Sequence, residues 1–372
     1  MRRCFPLVLI LISYLFILST SHSEVFTYRI LPGLTDKYLH SQDISHEVYG
    51  RVFLSDSEIH IAASKQYALG ADPTKYNFQH PPFIKYLYGF AFLLWGNPLL
   101  IQIGFGLLLL STIYAFGLQL SKNPIVPIMA CFLMLLDPLF IDLSAYAMLD
   151  LGQTTLLMIY LYFFLYDSQK WLMNGIILGI LAGSKFWGVP VFFITVISIF
   201  NYKTILKDWK PYVLHIMVGG LVFCALYIPA FILQSGRFNI VIFELKSLKY
   251  WFNHSTSSFP GASILLFATG YFKSWWGTKE IIRAETWSIA WPTSLLVSTI
   301  ASIGWFRKKQ FKKIGLLLSL IPILYLVYLG VQIPFPRYFI VILPFLYLVS
   351  AKWIVESPSV QKGMQYLGQK IR

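Results

Sequence analysis

Several short polar segments stand out in this mostly apolar chain, and the first is Asp-Ser-Glu-Ile-His at residues 56–60. Asp56 and His60 would share one face of a helix, whereas Asp56 and Glu58 would share a face only in an extended strand. A carboxylate here could act as a general base, and the three ionisable side chains together could bind a divalent metal. A solvated loop is the alternative interpretation.

The second segment is His80-Pro81-Pro82, with Lys85 three residues further on. Two prolines disfavour a helical residue before them and then start a helix, so His80 is predicted at the mouth of a helix and Lys85 one turn inside it. Both side chains could bind a substrate. In the alternative interpretation, the prolines only start the helix and Lys85 extends to lipid headgroups.

Three later positions carry an acid or a cation at the end of an apolar run. Asp150, preceded by Asp137 and Asp142, could cap a helix through the helix dipole or could hold Lys185 or a sugar hydroxyl. Lys185 and Arg337 could anchor their segments at a lipid interface or could bind a phosphate. The sequence leaves each of these alternatives open.

The composition determines the protein class. Hydrophobic residues make up 57% of the 372 residues and charged residues only 12%, against roughly 25% in a soluble chain. We therefore predict an all-α integral membrane protein. The net charge of +14 is explained by basic loops between apolar segments, so no nucleic-acid partner is expected. The three cysteines lack disulfide or metal spacing.

The positions of the apolar runs predict a helix bundle of about ten spans. They lie near residues 5–21, 99–119, 124–141, 150–166, 172–187, 189–202, 212–234, 288–306, 314–333 and 337–355. The first is expected to stay uncleaved, although a cleaved signal is the alternative. The strongest basic residues predict cytoplasmic loops and cytoplasmic termini: Arg2, Arg3, Lys203, Lys207, Lys210, Arg307, Lys308, Lys309, Lys312, Lys313, Lys362, Lys370 and Arg372.

One further apolar run, residues 83–98, does not fit this topology as a span. If it crossed the membrane, the N-terminus and the basic loops would lie on opposite sides, so we predict a helix at the outer interface. Residues 262–272 are interpreted in the same way. Two long segments, 22–98 and 235–287, then face the outside. No repeat is visible, and residues 1–372 are predicted to form a single membrane domain.

In this order, the polar segments resemble the C-type glycosyltransferase superfamily, most closely the protein O-mannosyltransferases and their bacterial relatives that use polyprenyl-phosphate sugars. Glu58-Ile59-His60 is similar to the end of an acidic motif in the family's first outer loop. Residues 80–85, His-Pro-Pro-Phe-Ile-Lys, match its His-Pro-Pro-x-x-Lys motif. Leu149-Asp150 and the segment from Gly183 to Phe186 match two later elements. The resemblance covers about residues 50–190, with weaker similarity at Arg337-Tyr338.

Two departures from the family pattern bear on the proposed base. The family's Asp falls on Ser57 if Glu58 keeps its register, or on Asp56 if one residue is inserted. In addition, the Arg that usually precedes the Leu-Asp element is replaced within Ala-Tyr-Ala-Met at residues 145–148. Both registers stay open at this level.

The resemblance implies an inverting glycosyltransferase that moves a sugar from a polyprenyl-phosphate donor to a protein, lipid or glycan acceptor at the outer face. Asp56 or Glu58 would be the catalytic base. The implied substrate-binding residues are His60, His80, Lys85, Asp150, Lys185 and Arg337. No cofactor is required in principle, because the leaving group is a single phosphate. The alternatives are a transporter or flippase, for which broken helices at the bilayer midplane are expected, and a non-catalytic subunit of a glycosylation complex.

Overall fold

A computed structural model of the chain describes residues 5–45, 49–167, 170–255, 259–274, 280–309 and 314–357. This part of the chain is mostly helical, as the composition predicted, with one short antiparallel hairpin. Several basic residues used in the topology prediction lie outside the described residues: Arg2, Arg3, Lys312, Lys313, Lys362, Lys370 and Arg372. The chain divides into two compact units. The single domain predicted for residues 1–372 stays a prediction.

The first unit comprises residues 1–14, 110–141 and 256–372. Its elements, some of which continue into the other unit's residues, are α1 (Phe5–Ser21), α6 (Leu100–Leu120), α7 (Ile125–Leu135), α8 (Pro138–Ala145), α16 (Ala262–Thr269), β1 (Tyr271–Lys273), β2 (Ile281–Arg283), α17 (Ala290–Arg307), α18 (Ile314–Leu329), a 3-10 helix (Pro336–Val341) and α19 (Leu343–Val355). Helix α19 is buried over nearly its whole length and packs against α7, α17 and α18.

Small polar side chains join α17 and α18 in this unit. Ser302 Oγ donates to Ser319 Oγ at 2.6 Å, and Ser298 Oγ donates to the Ser319 carbonyl at 3.3 Å. A Cβ at Gly315 would lie 2.9 Å from the Trp305 ring. Small residues that let helices approach closely, with hydroxyl groups between them, are typical of helix packing in membranes.

The second unit comprises residues 15–109 and 142–255. Its further elements are α2 (Glu24–Thr27), α3 (Leu34–Leu39), α4 (Asp56–Ala68), α5 (Phe83–Trp95), α9 (Leu149–Tyr166), α10 (Trp171–Ala182), α11 (Gly188–Phe200), α12 (Tyr202–Lys207), α13 (Trp209–Ala225), α14 (Ile228–Leu233) and α15 (Ile240–Ser255). The tightest packing is between α10 and α13. A Cβ would lie 2.7 Å from the His215 carbonyl at Gly175 and 2.5 Å from the Gly219 carbonyl at Gly179, so this glycine stripe permits the contact.

The structure departs from the predicted spans in three places. The segment predicted at 124–141 is two helices, α7 and α8, bent by 64° where Asp137 and Pro138 interrupt the helix. The segments predicted at 212–234 and 337–355 are also each divided, into α13 and α14 and into the 3-10 helix and α19. The hairpin of β1 and β2 was not predicted. It follows α16 directly, so the helix expected over residues 262–272 ends at Thr269.

Two helices, α6 and α9, are long and apolar enough to span a membrane by themselves, and the bent pair of α7 and α8 would make a third. Seven shorter apolar helices of 10–17 residues accompany them in the described part of the chain. The protein is an integral membrane protein. The number of spans and the side on which each end lies stay predictions.

Candidate active site

The centre of the candidate site is a buried ion pair in the second unit. Lys185 Nζ donates to Asp150 Oδ1, and both residues are at most 7% exposed. Asp150 is the second residue of α9, and Lys185 follows the end of α10. A buried lysine is rare unless it has a partner, so this pair keeps a positive charge in an otherwise low-dielectric place. The sequence analysis named both residues and gave Lys185 as one possible partner of Asp150, beside a sugar hydroxyl, and the structure shows this contact.

The loop that carries Lys185 is held by its own backbone and by α5. Ser184 Oγ donates to the Leu181 carbonyl at 2.6 Å, and Phe83 N donates to the Gly183 carbonyl at 3.0 Å. A Cβ at Gly183 would lie 2.0 Å from Leu226 Cδ1, so a larger residue would displace the end of the Leu226 side chain. The Gly-Ser-Lys segment places the ammonium group beside α9.

The residues just before α9 are held by side chains from α4, α5 and α6. Ala147 N donates to Ser57 Oγ at 2.9 Å, and His60 Nδ1 donates to the Ala147 carbonyl at 2.7 Å. Since a carbonyl only accepts, Nδ1 of His60 carries its proton. The Met148 carbonyl accepts from Tyr88 at 3.1 Å and from Gln102 at 2.8 Å. Helix α4 is thereby fixed beside the start of α9, where Asp150 lies.

The two acids of the first motif have different surroundings. Glu58 completes a capping box at the start of α4: its Oε2 accepts from Ser55 N at 2.8 Å and from Ser55 Oγ at 2.7 Å. Asp56 is the first residue of α4 and is half-buried. Burial raises the pKa of Tyr250, and the negative charges of Asp43 and Asp56 raise it further, so Asp56 lies within electrostatic range of α15.

The lysine of the His-Pro-Pro-x-x-Lys motif binds the turn that precedes it. Lys85 is fully buried, and its Nζ donates to the carbonyls of Asn77 and His80, each at 2.7 Å, and to Asn77 Oδ1 at 3.2 Å. Burial lowers the pKa of Lys85 to about 7, against the opposing charge of Asp43. Lys85 was predicted as a substrate ligand. Its ammonium group instead holds the turn that presents His80.

Asp43 is a residue of this site that the sequence analysis missed. It accepts hydrogen bonds from Tyr38 at 2.6 Å, from Asn77 N and Nδ2 at 3.2 and 3.3 Å, and from Gln79 Nε2 at 2.7 Å. It therefore ties α3 to the turn before α5. No motif marks Asp43, since two of its partners, Asn77 and Gln79, lie 34 and 36 residues away in the chain.

Aromatic rings connect the polar groups with α15. His60 and His80 have ring centroids 5.6 Å apart, His80 and Trp251 5.1 Å, and Trp251 and Phe186 5.3 Å. Trp251 Nε1 also donates to the Gln79 carbonyl at 2.8 Å. Since Phe186 is the neighbour of Lys185, this row of rings runs from α4 to the buried ion pair. The sequence analysis missed Trp251, which no motif indicates.

Arg337 lies in the first unit, in the 3-10 helix that precedes α19. Its guanidinium carbon lies 4.8 Å from the Phe335 ring centroid and 5.8 Å from that of Tyr338. These are cation–π distances, and they orient the side chain by its immediate chain neighbours. Its role in donor binding stays a prediction.

The structure does not bring the first motif together as a metal site. Within the described ranges, no group of three His, Cys, Asp or Glu residues is arranged to hold a metal ion. Glu58 is occupied by the capping box and His60 Nδ1 by a carbonyl. The arrangement that does exist is a buried cation with its counter-ion, next to a helix that starts with a carboxylate.

Comparisons with known proteins identify the fold. No family model and no curated protein matches the chain. Among solved structures, ArnT from Cupriavidus metallidurans bound to undecaprenyl phosphate matches with a TM-score of 0.61 and 16% identity, over 98% of this chain and 62% of that one. Apo ArnT from the same organism matches with a TM-score of 0.59 and 16% identity, over 86% and 58%.

The chain thus spans about three fifths of the length of the structures that it matches. At this identity the likeness concerns the fold, which extends over nearly the whole chain. It agrees with the order of motifs found in the sequence, and the chain has the fold of a C-type glycosyltransferase.

Proposed function

We propose that this protein transfers a sugar from a polyprenyl-phosphate donor to an acceptor hydroxyl on the outer face of the membrane, with inversion at the anomeric carbon. The acceptor is a protein, a lipid or a glycan. The proposal includes the topology of about ten spans with both termini in the cytoplasm. The outer segments 22–98 and 235–287 would then contain α4, α5 and α15.

The observation that carries the proposal is the clamp between α4 and the start of α9. Ser57 and His60 bind the backbone of Ala147, three residues before Asp150. A carboxylate at the start of α4 and a buried lysine are thereby brought into one region of the same unit. Sugar transfer from a lipid phosphate needs a base for the acceptor and a cation for the leaving group.

Asp56 is the proposed base. It would accept the proton of the acceptor hydroxyl while that oxygen attacks the anomeric carbon and the bond from this carbon to the phosphate oxygen breaks. A positioned base of this kind contributes about 10²- to 10⁴-fold. Glu58 is a positioning residue, since its carboxylate caps α4 and so fixes the helix turn from which Asp56 projects. This favours the register in which the family's Asp falls on Asp56 and not on Ser57.

Lys185 is the proposed ligand of the donor phosphate. The leaving polyprenyl phosphate gains negative charge as the bond breaks, and a cation that is already in place stabilises that charge without reorganisation. Asp150 keeps the ammonium group charged and oriented when no donor is bound. The neighbour that binds undecaprenyl phosphate has the same fold, which supports a lipid phosphate as the leaving group.

The other predicted binding residues have different parts in this proposal. His80 and Trp251 line the approach between α5 and α15, where His80 can donate to a sugar hydroxyl. His60 and Lys85 position backbone segments through their hydrogen bonds. Arg337 is proposed as a second phosphate ligand on the basis of the family resemblance alone. No cofactor takes part in the reaction as proposed.

The test uses the full chain reconstituted with lipid extracts that contain polyprenyl-phosphate sugars. Released polyprenyl phosphate is measured in single-turnover experiments for the wild type and for Asp56→Asn, with Asp36→Asn as the matched control. Asp36 is likewise an acid in the first turn of a helix in the same outer segment, and it is exposed. We expect Asp56→Asn to lose turnover by about 10²-fold or more with unchanged donor binding, and Asp36→Asn to be unaffected.

Three results would contradict the proposal. Equal turnover of Asp56→Asn and the wild type would remove the base from α4. Sugar-linked lipid that moves between leaflets without release of polyprenyl phosphate would indicate a flippase. If no transfer occurs unless another protein is added, the chain is a subunit without catalysis.

A further inference from the structure

A cavity in the second unit lies at the end of α9 opposite to Asp150. It has a volume of about 240 Å³, room for roughly eight waters at about 30 Å³ each. It lies among the end of α9, the start of α10, the end of α11, α12 and the start of α13. Its lining includes Phe164, Trp171, Asn174, Asn201, Asp208 and Tyr212.

The cavity is separate from the candidate active site. Asp150 is at the first turn of α9 and Phe164 is at its last, and a helix of 18 residues is about 27 Å long. The lysines of α12 and α13 are assigned to the cytoplasmic side of the membrane. The cavity therefore faces the leaflet opposite to that of the proposed sugar transfer, and its function is independent of that transfer.

Asn174 points to a ligand that donates a hydrogen bond. It is 1% exposed, and its Nδ2 donates to the Asp167 carbonyl at 3.5 Å. The Asp167 carbonyl favours this amide orientation, since only the NH₂ group can donate. Asn174 Oδ1 is buried and has no hydrogen-bond partner among the described residues. An unsatisfied buried acceptor costs about 1–3 kcal/mol, which a bound donor removes.

Three other polar side chains of the cavity each have a partner within the protein. His215 Nε2 is 3.2 Å from Tyr160 Oη, Tyr212 Oη bonds to Ser198 Oγ, and Asn201 Nδ2 donates to the Ile197 carbonyl at 3.1 Å. Asp208, which is exposed at the rim, adds a negative charge. Asn174 therefore determines which hydrogen-bonding group the cavity takes.

The walls and the rim add two requirements. Phe164, Trp171 and Tyr212 form an aromatic wall, which together with the Asp208 carboxylate favours a cation. Lys203, Lys207 and Lys210 each directly precede a lining residue, so they place positive charge around the entrance. Basic residues at the membrane surface bind lipid phosphates. The ligand thus has a hydrogen-bonding ammonium group and, a short distance from it, a phosphate.

We propose that this cavity binds the headgroup of a phospholipid with a primary amine, the ammonium group at Asn174 and Asp208 and the phosphate at the lysines of α12 and α13. A phosphorylated primary amine is also found in free phosphoethanolamine. The position of the cavity at the end of membrane helices favours the lipid. A trimethylated headgroup keeps the positive charge but has no N–H, so it cannot satisfy Asn174.

The test measures lipid binding to the full chain by native mass spectrometry from detergent micelles. Phosphatidylethanolamine, phosphatidylcholine and phosphatidylglycerol with identical acyl chains are compared, and free phosphoethanolamine serves as competitor. We expect phosphatidylethanolamine to bind about tenfold more tightly than either of the other lipids, since one hydrogen bond from a charged donor is lost with each. Free phosphoethanolamine should compete only weakly.

Asn174→Leu should abolish the preference for phosphatidylethanolamine over phosphatidylcholine. Asp208→Asn, an exposed change that does not endanger folding, should weaken binding of both lipids by about threefold or more. Asp36→Asn is its control and should bind as the wild type does. Equal affinity for the two lipids in the wild type, tighter binding of phosphatidylglycerol, unchanged binding by Asp208→Asn, or equally tight binding of free phosphoethanolamine would each overturn the proposal.

Discussion

Two buried acids, 13 positions apart in the chain, are stabilised in different ways in the two units. Asp137 in the first unit is 2% exposed and accepts from Trp291 Nε1 at 2.8 Å, from Tyr347 Oη and from Leu139 N at 2.9 Å. Asp150 in the second unit is 3% exposed and is paired with the ammonium group of Lys185. Asp137 thus accepts hydrogen bonds from neutral donors, whereas Asp150 is paired with a cation.

This difference separates a structural acid from a candidate functional one. The donors of Asp137 come from α17 and α19 and from the turn into α8, so they join three elements at the bend. The Asp150 pair joins α9 to the loop after α10 and includes a cation, which can be transferred to a stronger anion such as a phosphate. A buried acid with neutral donors stabilises the fold, and one with a cation also keeps a charge available.

Replacement of Lys185 by Met is expected to give the largest effect. Donor turnover should fall by about 10²- to 10³-fold, because the leaving phosphate loses its cation. The free energy of unfolding should also fall by about 3–5 kcal/mol, since Asp150 stays buried without the cation of Lys185. Transfer activity and unfolding in mixed micelles measure the two effects.

The double variant Asp150→Asn, Lys185→Met separates these effects. It should recover most of the stability and none of the activity, because both charges are gone. Lys170→Met is the matched control: its ion pair with Asp167 is exposed, and such pairs contribute about 1 kcal/mol or less. Normal transfer by the double variant would show that the pair is structural, like Asp137.

Replacement of Asp137 by Ala should lower stability without a specific loss of activity. Trp291 Nε1 and Tyr347 Oη would be left buried without an acceptor, which costs about 3 kcal/mol together. Turnover per folded molecule should stay normal. A loss of turnover at full stability would instead give Asp137 a part in the reaction and remove the distinction between the two acids.

Replacement of Tyr347 by Phe tests a single donor of the Asp137 cluster. It should cost about 1.5 kcal/mol, since one hydrogen bond to a buried carboxylate is lost while the ring stays in place. Tyr271→Phe, on an exposed strand of the same unit, should have no effect on thermal unfolding. Equal stability of Tyr347→Phe and wild type would mean that the other two donors suffice.

Lys85 extends the comparison to a buried cation whose hydrogen bonds go to neutral acceptors. Its folded pKa of about 7 lies below the unfolded value of 10.5, so the unfolded state binds the proton first as pH falls. Stability should therefore rise with pH between these two values, by up to about 1.4 kcal/mol per unit. Lys85→Met should lack this rise in unfolding experiments at about pH 7.5 and about pH 8.5. Parallel pH profiles would contradict the shift.

The sequence predicted where the helices lie better than it predicted where they are interrupted. Apolar runs indicated α1, α6 and α9 nearly to the residue, because about 20 consecutive apolar residues favour a helix in lipid. The bend at Asp137 was missed, since its stabilisation by Trp291 and Tyr347 comes from residues 154 and 210 positions away. Asp-Pro at this position was interpreted as part of the outer acidic cluster around Asp150.

What the sequence alone determined is the class of the protein and the order of its motifs, because composition and local spacing need no tertiary contact. Only the tertiary structure decided what each motif residue does. Lys85 is enclosed by the turn that precedes it, Glu58 caps its own helix, and Lys185 meets Asp150 across 35 residues of chain. A side chain's role depends on the groups that surround it when folded, and long-range packing determines those groups.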